Sequence, residues 1–187
     1  MGDNGSYKSP QWLIPNNENF AANKVSNYSL SFDGVDDSLN IGNISSISNT
    51  TSFSTSTWFK SDDTLNQSVL WCQGASGSQL FALSLIGNYI IVYAGSPTDY
   101  IRTNVVLSSD VSYNITVTYD GTLLPSDRIK IYLNGVSLVT IQYGTPDAIT
   151  PTFTTDVLIG RITYVASSHF NGIISDVAIW NQYLTIN

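Results

Sequence analysis

The feature that most constrains this fold is a two-residue alternation of apolar and polar side chains. It runs through residues 28–33, 113–119 and 128–133, and it predicts strands with one face in the core and one face in water. Asn134-Gly135 follows the third segment, and this dipeptide favours a two-residue hairpin turn. No segment from residue 28 onward shows a sustained helical period. The pattern therefore predicts an all-β chain of about a dozen short antiparallel strands, arranged as a two-sheet sandwich.

The composition argues against several classes of partner. The net charge is −7, with only four lysines and three arginines, whereas nucleic acids and anionic membrane surfaces bind clustered basic residues. The apolar run 80–94 is divided by Gly87-Asn88, which predicts a buried hairpin rather than a membrane span. Cys72 is the single cysteine, and we expect it to be a small core side chain. We therefore expect neither nucleic acid binding nor membrane insertion.

Residues 1–26 differ from the rest of the chain. Pro10 and Pro15 flank the apolar cluster Trp12-Leu13-Ile14, and a free tail would expose that cluster to water. We expect an arm that docks either on the sandwich, predicted over 27–187, or on a neighbouring subunit. The second arrangement would produce a homo-oligomer.

Five phrases carry a resemblance to a known family through their order and spacing. They are Tyr28–Asp37 (YSLSFDGVDD), Val117–Gly121 (VTYDG), Ile129–Gly135 (IKIYLNG), Leu158–Arg161 (LIGR) and Phe170–Trp180 (FNGIISDVAIW). Over residues 27–187 the chain resembles the laminin-G-like, concanavalin-A-like jelly rolls. The resemblance implies a two-sheet jelly roll that serves binding and adhesion far more often than catalysis.

The opening segment is also similar to those of uncharacterised marine phage and virus proteins. Together the two resemblances imply an extracellular or virion location. The function that we expect is non-catalytic recognition of cell-surface glycans or glycoproteins within such an assembly. A purely structural assembly protein without glycan binding is the alternative.

Catalysis ranks third because the expected acid–base residues are missing. Glycoside hydrolysis usually needs two carboxylates that flank the scissile bond, but Glu18 is the single glutamate and lies in the arm. The pairs Asp36-Asp37 and Asp62-Asp63 are adjacent and would point to opposite faces of a strand. A lyase centre would have to be assembled from His169, Tyr164 and Arg161. We therefore predict that the chain is not an enzyme.

Asp176 is the first candidate for a metal ligand. It lies in the segment Ile173–Trp180, where both faces of a strand would be apolar, and a buried carboxylate needs hydrogen-bond donors, a cation or a local opening. The resemblance implies a Ca²⁺ ion held by an Asp near the last strand and by oxygens near the first strand. The implied ligands are Asp176 together with Asp33 and Gly34 or the turn 34–37 that Gly34 begins, and oxygen ligands suit Ca²⁺. In the alternative, Asp176 only accepts hydrogen bonds from backbone or Trp N–H groups, and Asp33-Gly34 is only a turn.

Aromatic residues are the candidates for glycan contacts, because their rings stack on sugars. Tyr89, Ile91 and Tyr93 share one face of a predicted strand, whereas other tyrosines lie in polar or Gly/Pro-containing segments that predict exposed loops. We expect the glycan to be contacted by Tyr100, Arg102, Tyr143, Tyr164 and His169.

Overall fold

The computed structural model describes residues 29–74, 80–162, 165 and 168–185. The predicted arm lies outside the described residues, so its docking and an oligomer formed through it stay predictions. The described residues form a single 3₁₀ turn, Ser45–Ile47, and thirteen strands. The strands are β1 Ser29–Asp33, β2 Leu39–Asn40, β3 Ser52–Ser61, β4 Ser68–Gly74, β5 Leu80–Ile86, β6 Tyr89–Gly95, β7 Tyr100–Thr103, β8 Ser112–Asp120, β9 Ile129–Leu133, β10 Val136–Ser137, β11 Thr140–Tyr143, β12 Val157–Ile159 and β13 Asn171–Trp180.

These strands form two antiparallel sheets. One has six strands in the order β1-β13-β3-β8-β9-β10, and the other has seven in the order β11-β7-β6-β5-β4-β12-β2. The predicted all-β sandwich is confirmed. No helix in the part of the chain that the structure describes has the length and apolarity needed to cross a membrane.

The main core lies between the two sheets and is rich in aromatic rings. Phe53 of β3 contacts Phe81 of β5 edge to face, with ring centroids 4.6 Å apart. Trp71 of β4 stacks on Phe81 at 5.7 Å, and Tyr119 of β8 lies 5.4 Å from Phe53. All four rings are at most 1% exposed, and aromatic pairs of this geometry add to the stability that burial alone provides.

Both hairpins predicted from glycine–asparagine turns are present. Asn134-Gly135 joins β9 to β10 with φ of 50° and 80°, as a primed turn requires. Gly87-Asn88 joins β5 to β6 with φ of 59° and 70°. The run 80–94 is therefore a hairpin inside the sandwich, as the sequence predicts.

A second apolar cluster covers part of the outer face of the seven-stranded sheet. Phe81 and Leu83 of β5 enter the main core, whereas Leu80 and Ala82 point to the opposite face. Ile162, after β12, packs over this outer face. Cys72 belongs to the same cluster and is 1% exposed, which confirms its prediction as a core side chain.

Candidate functional site

Two of the predicted glycan-contacting tyrosines lie on strands rather than in loops. Tyr100 begins β7 and Tyr143 ends β11, so their prediction as loop residues is wrong. Both are half-buried rather than fully exposed. Each strand has only four residues, which is too short for an alternating pattern to stand out in the sequence. Tyr164 lies outside the described residues.

Three tyrosines form a row across the outer face of the seven-stranded sheet. Tyr93, Tyr100 and Tyr143 are direct partners in the register of β6, β7 and β11. The Tyr100 and Tyr143 rings are stacked, with centroids 4.6 Å apart and planes 16° apart. The Tyr93 ring lies 5.4 Å from that of Tyr100. Ile101, between Tyr100 and Arg102, enters the main core, so the row faces away from the core.

Arg102 lies beside this row, between two aromatic rings. Its guanidinium carbon is 4.7 Å from the ring centroid of Tyr89 and 5.5 Å from that of Tyr143, within the range of a cation–π contact. Tyr89 is half-buried on β6, four residues before Tyr93 and on the same face of the strand. We call Tyr89, Tyr93, Tyr100, Arg102 and Tyr143 the edge surface, because β11 is the last strand of the seven-stranded sheet among the described residues.

Asp99 accepts hydrogen bonds that hold together the two strand ends on which the stacked rings lie. One oxygen, Oδ1, accepts a hydrogen bond from the Thr145 N–H at 2.8 Å, and Oδ2 accepts one from the Ser96 hydroxyl. Gly144 has a φ of 63°, and a Cβ there would lie 2.1 Å from Asp99 Oδ1 and 2.6 Å from the Thr98 carbonyl oxygen. Only glycine permits this close approach, so Gly144 and Asp99 together fix the position of Tyr143.

Burial also affects the inner end of the tyrosine row. Tyr93 packs against the second apolar cluster, and this burial raises the pKa of its phenol. The row therefore passes from an apolar boundary at Tyr93 to the sheet edge at Tyr143. An arrangement with a fixed inner end and an accessible outer end suits the apolar face of a sugar ring.

The outer face of the six-stranded sheet carries a second set of polar and aromatic groups. Asn114 Nδ2 donates to Ser56 Oγ at 3.2 Å, and the Thr116 hydroxyl lies 3.2 Å from the same Oγ. Beside this network the C-terminal segment crosses the sheet, since Ser54 Oγ donates to the Gln182 carbonyl and accepts from the Leu184 N–H. Ser54 is fully buried as a result. Part of this face is thus covered by the chain itself.

An acidic turn follows β1. Carboxylate oxygens of Asp33, Asp36 and Asp37 lie within 4.8 Å of one another, and all three side chains are exposed. Asp33 Oδ1 accepts the Val35 N–H at 2.8 Å, while Asp37 Oδ2 accepts the Asp33 N–H at 3.0 Å. The hydrogen bond from Val35 is the main reason that the pKa of Asp33 is lowered. We call Asp33, Asp36 and Asp37 the acidic turn; it offers oxygen atoms of the kind that Ca²⁺ prefers.

A surface cavity of about 540 Å³ opens beside the acidic turn. Its walls include Asp33, Gly34, Asp63, Asn66 and His169. Asp63 Oδ1 accepts the Leu65 N–H at 2.8 Å, and the hydrogen bond from the Asn66 side chain is the largest cause of its lowered pKa. His169 therefore joins this polar cavity and not the tyrosine row. Asp63 and Asn66 were not predicted for this site, because no local sequence pattern links residues 63–66 to the turn after β1.

The structure does not bring Asp176 to the acidic turn. Asp33 pairs with Asn171 and Ser29 pairs with Ser175, so Asp176 lies five positions further along β13, about 16 Å from the acidic turn at the usual strand rise. Asp176 is also exposed, so the prediction of a buried carboxylate is wrong. A β-bulge between Ser175 and Ala178 breaks the alternation of the strand. Asp176 has a φ of 52° there and turns toward solvent.

Solved structures with the same fold are similar to this chain at low sequence identity. A heptameric serum-amyloid-P-like pentraxin from Limulus polyphemus aligns with a TM-score of 0.66 and 14% identity, over 84% of this chain and 77% of that protein. Domain 4 of an extracellular arabinanase from Geobacillus stearothermophilus, in complex with arabinotriose, aligns with a TM-score of 0.62 and 14% identity, over 84% and 72%. A proposed carbohydrate-binding protein from Bacteroides ovatus aligns with a TM-score of 0.58 and 19% identity, over 83% and 45%.

A match to a family model is stronger evidence for the family of this chain than these structural similarities are. No curated protein sequence matches the chain. The family model described as "Concanavalin A-like lectin/glucanases superfamily", of laminin-G type, matches residues 33–186. That match covers most of the chain and both sheets of the sandwich. The chain therefore belongs to the concanavalin A-like lectin/glucanase superfamily.

Proposed function

We propose that this protein is a non-catalytic carbohydrate-binding module whose glycan lies on the edge surface. The observation that carries the proposal is the stacked row of Tyr93, Tyr100 and Tyr143 on the face away from the core. Tyrosines bring large contact areas with few rotatable bonds, so their ordering costs little when a ligand binds. Strand pairing already fixes their spacing, which lowers that cost further.

Two of the similar structures support a carbohydrate ligand. The arabinanase domain was solved in complex with arabinotriose, and the Bacteroides ovatus protein is a proposed carbohydrate-binding protein. These proteins share the fold with this chain. The ligand class is extended to it here because the edge surface offers the aromatic contacts that sugars use.

The absence of catalysis is proposed from the chemistry of the edge surface. The carboxylate next to Tyr100 in sequence is Asp99, and both of its oxygens accept hydrogen bonds that hold the β6–β7 loop and the end of β11. A glycosidase acid would instead need a free oxygen aimed at the sugar bond. Asp99 is thus a structural group. Release of reducing sugar from a panel of polysaccharides, lost in the Asp99→Asn variant, would contradict the proposal.

Substitution of the stacked rings tests the location of the site. Tyr100→Ala and Tyr143→Ala should each weaken binding to the glycans that the native protein selects on an array, by roughly tenfold in Kd, as expected for a central aromatic contact. Tyr132→Ala is the matched control, because Tyr132 is half-buried on the six-stranded sheet. Loss of binding in the control alone would move the site to that other sheet.

Ca²⁺, which the resemblance to this fold family implies, fits the acidic turn better than the ligand set predicted from the sequence. Asp33, Asp36 and Asp37 supply oxygens within 4.8 Å of one another, whereas Asp176 is on a distant part of β13. The ion would be held by those three carboxylates together with water, which suits Ca²⁺ coordination. Its contribution would be to order the turn after β1, beside the polar cavity.

We place this module at a cell surface, outside the producing cell or on a virion. The proposal follows from a glycan ligand, and it is tested by binding of the labelled protein to intact cells before and after enzymatic removal of surface glycans. Unchanged binding would favour the alternative of a structural assembly protein. In that case deletion of residues 1–26 should dissociate an oligomer in light scattering, while glycan arrays stay blank.

A further inference from the structure

Arg102 is a cation without a charged partner among the described residues. No carboxylate lies within 4 Å of it in that part of the chain. Its Nε is buried and has no hydrogen-bond acceptor there. The guanidinium is held over the faces of Tyr89 and Tyr143, which stabilise the charge but accept no hydrogen bond in the plane of the group. The Nε donor is therefore unmet, while the two Nη groups, which are not buried, have no acceptor among the described residues and remain free for a ligand.

Two other basic residues of the sandwich, Lys60 and Arg128, are satisfied by the protein itself. Lys60 forms a 3.0 Å salt bridge with Asp110. Arg128 donates from Nε to the Leu123 carbonyl and from Nη1 to the Pro146 carbonyl. Arg128 thus shows how this fold holds a structural arginine, and Arg102 departs from that arrangement.

The chain has many carboxylates, but none of those that the structure describes forms a salt bridge with Arg102. It contains 14 acidic residues against seven lysines and arginines. Asp99 is near in sequence, yet its oxygens accept hydrogen bonds from Thr145 and Ser96. An unpaired arginine within an aromatic surface of an acidic protein points to an anion supplied from outside.

We propose that Arg102 recognises the carboxylate of an acidic sugar, a uronic or sialic acid residue, whose ring lies against the accessible edges of Tyr100 and Tyr143. This inference rests on the proposed function and specifies its ligand class. The two Nη groups of the planar guanidinium can donate two parallel hydrogen bonds to a carboxylate, whereas the buried Nε is out of its reach. The sugar ring beside that carboxylate would lie against the outer edges of the stacked tyrosines, which lie in the neighbouring register row.

The net charge of the whole chain further restricts the class of acidic glycan that can bind. At a net charge of −7, the protein repels long polyanions, because like charges oppose their approach. One isolated carboxylate placed at Arg102 avoids most of this repulsion. The site should therefore prefer a glycan with a single terminal acid over a continuous polyuronate.

Calorimetric titration of the full-length protein with matched sugars tests this inference. The probes are sialyllactose and a glucuronic-acid-terminated disaccharide, each as the free acid and as the methyl ester, which keeps the shape and removes the charge. The native protein should bind at least one free acid roughly tenfold to a hundredfold more tightly than its ester, as for a hydrogen bond to a charged group. Arg102→Gln should abolish that preference, so that the free acid and the ester bind with equal affinity.

Lys130→Gln is the matched control, because it removes the same charge from the six-stranded sheet. The control should keep the preference for the acid, and Arg102→Lys should retain only part of it, since lysine lacks the planar fork. Equal affinity of the native protein for acid and ester would overturn the inference while leaving the proposed function intact. A native protein that binds neither form, nor any sugar on an array, would overturn both.

Discussion

The edge surface and the acidic turn are held in place by different means. The edge surface gathers residues from 89 to 143, and main-chain pairing of three strands sets their spacing. The acidic turn spans only residues 33–37, and its geometry depends on hydrogen bonds between its own carboxylates and N–H groups. The edge surface is rigid because three paired strands hold it, whereas the acidic turn is exposed and is held only by local hydrogen bonds.

The two regions also differ in which of their groups remain free to contact a ligand. In the acidic turn, Asp33 and Asp37 already use one oxygen each on the backbone. In the edge surface, no described residue accepts a hydrogen bond from Arg102 Nε, and the half-buried rings keep accessible outer edges. Preorganised and unused groups favour tight, specific binding. We therefore propose recognition by the edge surface and an ordering role for the acidic turn.

Gly144→Ala should have the largest effect, because it attacks the rigidity of the edge surface. The new Cβ would enter left-handed backbone at φ 63° and lie 2.1 Å from Asp99 Oδ1. Left-handed strain and overpacking together should lower the free energy of unfolding by about 2–3 kcal/mol. Urea unfolding measures the loss, and glycan titration should show a parallel loss of affinity.

Gly135→Ala is the control that separates left-handed backbone strain from overpacking as the cause of the lost stability. Gly135 has a φ of 80°, but a Cβ there meets nothing within 4 Å, so only the backbone strain of about 1–2 kcal/mol applies. Glycan affinity should stay unchanged in this variant. Equal losses of stability in the two variants would show that the contact between Gly144 and Asp99 does not hold the edge.

Much of the fold could be predicted from the sequence because it depends on local patterns. Alternation over 113–119 and the turn residues Asn134-Gly135 report directly on strands and hairpins, and both are confirmed. A jelly roll needs little more than many such strands in the right order. The five sequence phrases that carry the resemblance to the jelly-roll family have a spacing that reflects this order of strands.

The site could be predicted only in part, because long-range register is not written in local patterns. Tyr100, Arg102 and Tyr143 are predicted from the polar or Gly/Pro-containing segments in which they lie, and the structure brings these three together. Their strands have only four residues each, so the sequence predicts loops there instead. Asp176 was misplaced because one extra residue in a bulge reverses the direction of a side chain, and no sequence feature marked that bulge.

Ca²⁺ should have an intermediate effect and should act on the acidic turn alone. At a free concentration of about ten times its Kd, an ion that binds only the folded state adds about 1.4 kcal/mol to the free energy of unfolding. Thermal unfolding with Ca²⁺ and with a chelator measures this stabilisation. Asp37→Asn should reduce it, because Asp37 contributes to the three-carboxylate cluster.

Asp176→Asn is the matched control for the metal experiment. It removes one exposed carboxylate from the distant bulge of β13, so the stabilisation by Ca²⁺ should persist. If Asp176→Asn removed the effect and Asp37→Asn did not, the ion would bind near the end of β13 instead. Identical unfolding midpoints with Ca²⁺ and chelator in the native protein would reject a Ca²⁺ site altogether.

The smallest expected effect is a pair of pH dependences with opposite signs. Asp33, in the acidic turn, has a pKa below its ordinary value of 3.8, mainly because of the Val35 N–H. The unfolded chain therefore binds more protons near pH 3.8, so the stabilisation is present above that pH and is lost as pH falls through the lowered pKa. Asp147 follows β11, beyond the edge surface, and burial raises its pKa above 3.8, with a further contribution from Asp99. Its stabilisation is present below pH 3.8 and is lost as pH rises through the raised pKa.

Urea unfolding between about pH 2.5 and pH 6 resolves these two contributions. Asp33→Asn should flatten the decline in stability on the acidic side, because Asn keeps an acceptor oxygen but does not titrate. Asp147→Asn should remove the decline that occurs as pH rises above 3.8, and both differences should be small because the two side chains are exposed. Differences between each variant and the native protein cancel the general effect of the other acids. Slopes of the same sign for the two variants would mean that the acidic turn and the edge of the seven-stranded sheet do not differ in how they hold their carboxylates.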